Sequence, residues 1–452
     1  MGSRKKSCNK EIGGKNMKKK IYIKILISSI VFIIISNVVV AFSKRDIVIT
    51  FGMFAGSNWN VPYGNSYEII DNAIKRFEES HPGVKIKYVN GILKDDYSEW
   101  LSGKLLKGSG PDVFMILSED FNTLSSVGAM KSLNNILEKD KEFDYEKYYR
   151  ASYESGQYQG EQFALPYESV PTLMFVNKTL LEEEGIKIPE NDWTWGEFYE
   201  VCRKVTKDTD GDGLIDRFGF YDYNWQDAIY SNGVTLFNED GTKSYFSDKK
   251  FESAIRFVKN LEELNKEYKV TSDDFDTGKV AFHPLLFSEY STYKTYPWKI
   301  KKYSDFEWDC IKLPSGESGE NISEVSTLLM GINSKTDKEK LALEFLKLLT
   351  YDEVTQRDIF KYSQGVSVLK SVTGSVKIMN ELVNDTPNDG YINMTLLSEV
   401  MESAIASPRF HKYESVMAMS DTMIKQGMDS NNDNLSYLLS KLQREVNKFL
   451  KN

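Results

Sequence analysis

Residues 192–220 read DWTWGEFYEVCRKVTKDTDGDGLIDRFGF, and this stretch joins a helix start to a candidate cation-binding loop. Thr194 and Glu197 stand three residues apart, the spacing of a capping box, in which each side chain accepts a hydrogen bond from the other residue's backbone amide. Apolar and aromatic residues then recur at intervals of three and four, which predicts a helix with one face against a core. We expect this helix to end near Lys207, with Cys202 as a packing residue on its apolar face.

Four aspartates follow the predicted helix with the spacing of a calcium-binding loop. The first, third, fifth, seventh and ninth positions of the loop are Asp208, Asp210, Asp212, the carbonyl of Leu214, and Asp216. Gly219 stands at the twelfth position, where an EF-hand has a bidentate glutamate. We therefore predict a structural Ca²⁺ ion whose remaining ligand comes from elsewhere in the chain or from water. The alternative is an Asp/Gly turn that binds no ion tightly.

Length, charge and cysteine content limit the class of protein. A chain of 452 residues exceeds the usual size of one hydrophobic core, so two lobes are expected. Its net charge is −9, which makes nucleic acid an unexpected partner. Three cysteines are too few for a disulfide scaffold, especially since Cys8 precedes the segment that would be exported.

The first 42 residues predict export. Four lysines at positions 18, 19, 20 and 24 precede residues 25–42, which are apolar and carry no charge. This pattern is typical of a signal peptide, and the run is also about long enough to span a bilayer, so both a cleaved signal and a membrane anchor are open. No cysteine follows the run at a lipobox. We expect the protein at the extracellular face of the cytoplasmic membrane, anchored or secreted.

The next hundred residues predict an α/β lobe. A strand at 46–52, a helix around 70–77 and a strand at 84–88 form a parallel strand–helix–strand unit. A third strand precedes Ser118, and the loop at 55–64 follows the first strand. Ligands of open α/β sheets gather at the carboxyl ends of strands, so both loops should face one crevice.

Seven motifs occur in an order that is similar to one protein family. They are GPDV at 110–113, ALP at 164–166, WTWGEF at 193–198, the aspartate loop at 208–220, FDTGKVAF at 275–282, WDCIKLPSG at 308–316 and LALEFLKLLT at 341–350. Over residues 46–452 the chain resembles the family 1 extracellular solute-binding proteins of bacterial ABC transporters, the maltose-binding type.

This resemblance implies the α/β, two-lobed periplasmic-binding-protein-like fold of type II, with a three-segment hinge. The implied first lobe is 46–166 plus 323–371, and the second is 167–322 plus 372–452, after the basic N-terminus and signal peptide or anchor at 1–42. The implied crossovers lie at 165–172, 322–327 and 369–372. The family's function implies a monomer that closes on a sugar or oligosaccharide and delivers it to ABC permease subunits.

A sugar presents C–H faces to aromatic rings and hydroxyl groups to carboxylates and amides, so a sugar site needs both kinds of side chain. Trp225 is expected to contribute most, and Phe410 and Tyr413 match the place where family members bring a late aromatic residue to the ligand. The predicted ligand contacts are Asn58, Trp59, Glu119, Asp120, Tyr167, Glu168, Tyr223, Trp225, His283, Tyr290, Phe410 and Tyr413.

Two other functions were weighed. The uncleaved anchor would suit a membrane-bound ligand sensor that signals to a kinase. Glu119 and Glu168 could act as the carboxylate pair of a glycoside hydrolase, yet such pairs also occur in clefts that only bind sugar. The zinc, acyl-enzyme, redox and phosphate-loop motifs are missing from the sequence, so an enzyme is not expected.

Overall fold

A computed structural model describes residues 28–31, 46–59, 66–266, 268–289, 306–375, 377–378, 394–428 and 434–451. Contacts divide the chain into a small unit, Met1–Val48 with Glu78–Ile86, and a large unit, Ile49–Phe77 with Lys87–Asn452. Within the small unit the amide of Ile47 donates to the carbonyl of Gly83 at 2.8 Å. The large unit holds the sheet and the candidate site.

The N-terminal half of the chain alternates strands and helices. Its strands are β1 (Ile47–Gly52), β2 (Val84–Tyr88), β3 (Val113–Ile116), β4 (Gln157–Tyr158), β5 (Glu161–Gln162), β6 (Ala164–Asn177) and β7 (Phe218–Phe220). Its helices are α1 (Ser66–Ser80), α2 (Lys94–Leu106), α3 (Ser118–Ser126), α4 (Asn134–Leu137), α5 (Arg150–Glu154), α6 (Lys178–Glu183) and α7 (Trp195–Val205).

The C-terminal half is richer in helix. Its strands are β8 (Val280–Leu286), β9 (Trp308–Ile311), β10 (Val325–Ile332) and β11 (Val366–Ser367). Its helices are α8 (Trp225–Ser231), α9 (Lys249–Glu263), α10 (Ser272–Asp276), α11 (Glu339–Thr350), α12 (Glu353–Tyr362), α13 (Lys370–Thr373), α14 (Met394–Ser403), α15 (Tyr413–Met428) and α16 (Leu435–Lys451).

Strand β6 is the longest strand of the sheet and pairs differently along its two halves. In the large unit the strand order is β1-β3-β10-β6-β8-β7, and β9 and β11 also pair with β6. Residues 164–171 of β6 pair with β10, whereas residues 172–177 pair with β8 and β9. Of its 14 residues, 13 are buried, as expected for a strand covered on both faces. One continuous strand therefore spans residues 165–172, where the family resemblance implies the first crossover.

Two hydrophobic cores flank this crossover. One contains the apolar faces of α7, α8, α9, α15 and α16. On the other side, Tyr148 packs with Val368, Leu369 and Val372, and the ring of Phe345 in α11 meets Phe51 at 5.6 Å. The sequence-based fold class, a mixed α/β protein with a central sheet, agrees with this architecture.

The last crossover lies later in the chain than predicted. Helix α14 packs against α5 and α13, while α15 and α16 pack against each other and α16 packs against α9. The chain therefore passes between the two cores at residues 404–412, because residues 369–372 are held in the core of Tyr148. Ile405 pairs with the backbone of the second crossover. Its amide donates to the carbonyl of Ser323 at 3.1 Å, and its carbonyl accepts from the amide of Val325 at 3.0 Å.

The stretch at 192–220 folds as its local pattern predicts. The Thr194 hydroxyl accepts from the Glu197 amide at 3.3 Å, and the Glu197 carboxylate accepts from the Thr194 amide at 2.8 Å, which completes the capping box. Helix α7 ends at Val205, and Cys202 is buried. A side-chain carbon at Gly219 would lie 2.4 Å from Cys202, so close packing excludes a glutamate at the twelfth loop position.

No helix within the described ranges is both long and apolar enough to cross a membrane. Apart from residues 28–31, the apolar run at 25–42 lies outside those ranges. The signal peptide or anchor therefore stays a prediction.

Candidate functional site

Glu168 lies at the centre of the crossover and is almost fully buried. Its side chain is 4% exposed, and its carboxylate accepts hydrogen bonds from Trp59 Nε1 at 3.0 Å and from the Ser363 hydroxyl. Burial raises the pKa of Glu168 to about 7, and the two donors oppose that shift. Three distant segments of chain thus meet at one carboxylate that titrates near neutral pH.

Tyr167 shares a small cavity with Glu168 because the strand is irregular there. Neighbouring residues of a regular strand point to opposite faces, but the register of β6 against β10 shifts at this point, with Leu328 opposite Glu168 and Leu329 opposite Pro166. Both residues line a cavity of about 10 Å³ with Asn58. The Tyr167 hydroxyl is buried and has no hydrogen-bond partner within the described ranges. Four predicted ligand residues, Asn58, Trp59, Tyr167 and Glu168, are therefore together.

A larger cavity, of about 390 Å³, lies on the other side of the crossover and includes His283. His283 Nδ1 lies 3.1 Å from the carbonyl oxygen of Tyr221, and the imidazole packs 4.7 Å from the Tyr221 ring and 4.8 Å from the Phe275 ring. Burial lowers the pKa of His283 to about 4, so the imidazole is neutral at pH 7.

Four carboxylates complete this larger cavity: Asp222, Asp227, Asp276 and Glu289. Burial raises the pKa of each, and that of Asp227 reaches about 7. The charge of Asp222 adds to the shift of both Asp227 and Glu289. The cavity therefore combines aromatic rings with hydrogen-bond acceptors whose ionisation is disfavoured.

Glu119 and Asp120 lie at the carboxyl end of β3, the edge of the sheet where ligands of open α/β proteins gather. They form the first turn of α3 rather than a loop. Negative side chains suit a helix N-terminus because the exposed amides carry partial positive charge. Glu119 is exposed, whereas Asp120 is half-buried and accepts from the Ser98 hydroxyl at 2.6 Å. Burial raises the pKa of Asp120.

Four aromatic residues predicted to contact the ligand lie in a hydrophobic core instead: Tyr223, Trp225, Phe410 and Tyr413. Trp225 is 1% exposed, and its Nε1 donates to Asp421 at 3.0 Å. The Tyr223 hydroxyl accepts from Trp195 Nε1 at 3.1 Å. These four rings are enclosed by packing, and their contact with a ligand stays a prediction. Tyr290 lies outside the described residues.

Tyr221 and Phe275 are the aromatic residues that sequence reasoning missed. Tyr221 directly follows β7, which runs parallel to β8. The rule that ligands gather at carboxyl ends of parallel strands could have singled it out together with Asp222. Phe275 had no such signal, because it lies within the short helix α10 (Ser272–Asp276) rather than at the end of a strand.

The aspartate loop brings three of its four carboxylates together. Oxygens of Asp208, Asp210 and Asp216 lie within 4.8 Å of one another. Asp212 is outside this group, and its carboxylate accepts from the Leu214 amide at 2.8 Å. Asp208 accepts from the amides of residues 211 and 213, each at 2.7 Å, and these bonds lower its pKa. The three clustered carboxylates suit a hard divalent cation.

The family model of bacterial extracellular solute-binding proteins matches residues 62–356. The chain belongs to that family. This assignment confirms the resemblance found in the sequence and places the protein among binding proteins that act outside the cytoplasm.

Two curated relatives of this solute-binding protein have sugar ligands in their names. The galactooligosaccharide-binding protein of Bacillus subtilis is 23% identical over 326 residues, which are 69% of this chain and 72% of the relative. The diacetylchitobiose-binding protein DasA of Streptomyces coelicolor is 25% identical over 307 residues, 66% of this chain and 67% of the relative.

Solved structures confirm the fold of this solute-binding protein. The cyclic alpha-maltosyl-1,6-maltose binding protein of Arthrobacter globiformis aligns with a TM-score of 0.73 at 17% identity, covering 90% of this chain and 99% of that one. The sugar-binding protein MalE of Xanthomonas citri aligns with a TM-score of 0.71 at 15% identity, covering 89% and 97%. The chain thus has the predicted type II fold.

Replacing Glu168 with Gln should change the pH dependence of stability. The folded-state pKa of Glu168 is raised from 4.5 to about 7, so the folded protein holds a proton that the unfolded chain releases. The stabilisation from this proton is complete below about pH 4.5 and is lost as the pH rises through about 7. We therefore compare the free energy of unfolding of the wild type with that of Glu168→Gln. The difference, wild type minus variant, should decrease by at most about 3 kcal/mol as the pH rises from about 5 to about 8.

Urea denaturation at several pH values measures this difference. Glu200→Gln, on the exposed face of α7, is the matched control and should show no change over the same range. If the difference in free energy of unfolding between the wild type and Glu168→Gln stays constant with pH, the raised pKa of Glu168 is contradicted.

Proposed function

We propose that this solute-binding protein binds a sugar or oligosaccharide beside the β6 crossover and delivers it to the permease of an ABC importer. The curated relatives that bind a galactooligosaccharide and diacetylchitobiose support this reading of the ligand class. Family membership supports a role in binding rather than in catalysis.

The observation that carries the proposal is the composition of the 390 Å³ cavity. Its rings, Tyr221, Phe275 and His283, suit the C–H faces of a pyranose, and its carboxylates accept hydrogen bonds from hydroxyl groups. The cavity of Tyr167 and Glu168 adds a buried hydroxyl without a partner and a carboxyl on the other side of the crossover. A ligand that spans both sides would need several hydroxyl groups, as an oligosaccharide has.

Contact of the ligand with both sides of the crossover provides a way for the permease to recognise the ligand-bound protein. A ligand that contacts both lobes favours the closed state by its differential affinity for that state. In this proposal the lobes close about β6 and its neighbouring crossovers, and the permease recognises the closed form. The protein acts as a monomer, held at the outer face of the membrane by residues 25–42 or released after their cleavage.

We also propose that the aspartate loop binds a structural Ca²⁺ ion. Asp208, Asp210 and Asp216 would supply carboxylate oxygens, and the carbonyl of Leu214 and water would supply others. The ion would neutralise three clustered negative charges and fix the exit of α7. The loop is already anchored by Glu184, which pairs with Arg217 at 2.6 Å and with Lys207 at 2.5 Å.

The ligand proposal is tested by the melting temperature of residues 43–452 with galactotriose, N,N′-diacetylchitobiose and maltotriose. A bound sugar at 100 times its dissociation constant adds about 2.7 kcal/mol to the free energy of unfolding, so the melting temperature should rise with at least one of them. Recovery of chemically unchanged glycan afterwards would support binding over hydrolysis. No rise with any glycan would contradict sugar binding and leave the family assignment intact.

Calcium should raise the melting temperature of protein that has been treated with chelator. The rise comes from binding to the folded loop alone and should correspond to about 2.7 kcal/mol at 100 times the dissociation constant. Asp210→Asn should remove most of this rise. Asp240→Asn, in another exposed Asx turn, is the control and should keep it. Equal calcium responses in both variants would contradict a site in the aspartate loop.

A further inference from the structure

Arg409 lies on the last crossover and reaches helix α3 on the opposite side. The centre of its guanidinium lies 5.3 Å from the ring centroid of Phe121, which is fully buried in α3. Such a position over an aromatic face attracts a cation and holds the guanidinium plane in place. Two residues later, His411 Nδ1 lies 3.3 Å from the Ser126 hydroxyl at the end of the same helix. Arg409 is thus held between the two sides of the site.

One hydrogen-bond donor of Arg409 is unused. Its Nε is buried and has no hydrogen-bond partner among the residues that the structure describes. The guanidinium interacts electrostatically with Glu324 and Glu414, but it forms no ion pair with either one within the described part of the chain. A buried donor without an acceptor costs free energy, so such a group in a binding protein points to an acceptor that arrives from outside.

Glu324 is an acidic residue whose charge acts on Arg409. It lies on the second crossover, where it forms a parallel bridge with Ile405, four residues before Arg409. The charge of Asp227, which lines the 390 Å³ cavity, also acts on Glu324. Glu324 therefore interacts electrostatically both with a carboxylate of the cavity and with Arg409.

We propose that Arg409 and Glu324 form a donor–acceptor pair that binds hydroxyl groups of the solute where the chain crosses between lobes. This inference rests on the proposed sugar-binding function and extends it to two residues outside the predicted set. A hydroxyl group both donates and accepts, so it can bridge a guanidinium and a carboxylate that do not pair directly. The guanidinium fork can bind two neighbouring oxygens at once.

The same geometry selects the charge of the ligand. The charges of Glu324 and Glu414 act on Arg409, and the charge of Glu119 acts on Glu414. An anionic sugar would be repelled by these carboxylates, whereas a neutral sugar offers hydroxyl groups without a net charge. The pair therefore favours a neutral glycan over a uronate.

Titration calorimetry tests the proposal. The ligand is the one of galactotriose, N,N′-diacetylchitobiose and maltotriose that stabilises the wild type most. Arg409→Lys keeps the charge but loses the fork, and Glu324→Gln keeps the shape but loses the charge. Each should weaken binding at least about tenfold, because a buried partner group is left unpaired. The controls are Arg203→Lys and Glu200→Gln, an exposed pair on α7 that should leave affinity unchanged. Trigalacturonate should bind the wild type at least about tenfold more weakly than the neutral glycan.

Circular dichroism melting of each unliganded variant separates misfolding from lost contacts, and Glu324→Gln provides the result if Arg409→Lys does not fold. Wild-type affinity in a folded Glu324→Gln or Arg409→Lys variant would overturn the inference and leave the proposed function standing. Tighter binding of trigalacturonate than of the neutral glycan would also overturn it. Failure of the wild type to bind any of the three neutral glycans would overturn the proposed function and this inference together.

Discussion

The backbone of β6 imposes the constraint on which the other parts of the structure depend. Of its 14 residues, 13 are buried, and buried amides and carbonyls need hydrogen-bond partners. Strands β10 and β11 supply them along one half, and β8 and β9 along the other. The two cores are consequently joined by a continuous strand. Its register against β10 is irregular between Pro166 and Glu168, which directs Tyr167 and Glu168 into one cavity. The candidate site lies beside the point, between residues 171 and 172, where the strand changes partners.

Local chemistry explains what the sequence predicts well. The capping box at Thr194 depends on two side chains and their neighbouring amides, so its outcome does not depend on distant parts of the chain. The crossover at 165–172, by contrast, is implied by the family resemblance, and β6 spans those residues. The rule that parallel strands present their carboxyl ends to one crevice placed the loop at 55–64, with Asn58 and Trp59, on the ligand side of the sheet. The hydrogen bond from Trp59 to Glu168 agrees with that placement.

Tertiary packing explains what the sequence could not predict. In the segment YDYNW, Asp222 adopts a φ of 54°, so the chain turns sharply and the ring of Tyr221 lines the cavity while Tyr223 and Trp225 enter the core. Asp tolerates this left-handed conformation, but nothing in its neighbours indicates it. The crossover at 404–412 depends on where α14 packs, which no local pattern encodes. Arg409 went unnoticed because its importance comes from Phe121 and Glu324, both far away in sequence.

The central claim is that two lobes, joined at β6, close on a neutral glycan. Spin labels on exposed positions of the two sides, Leu106 in α2 and Glu263 in α9, allow the distance between the lobes to be measured by pulsed electron resonance. In residues 43–452 the native cysteines are Cys202 and Cys310, and both are buried, so they would need little protection from labelling. The account predicts a shorter and narrower distance distribution when the stabilising glycan is added. A distribution that does not change while the glycan is bound would contradict it.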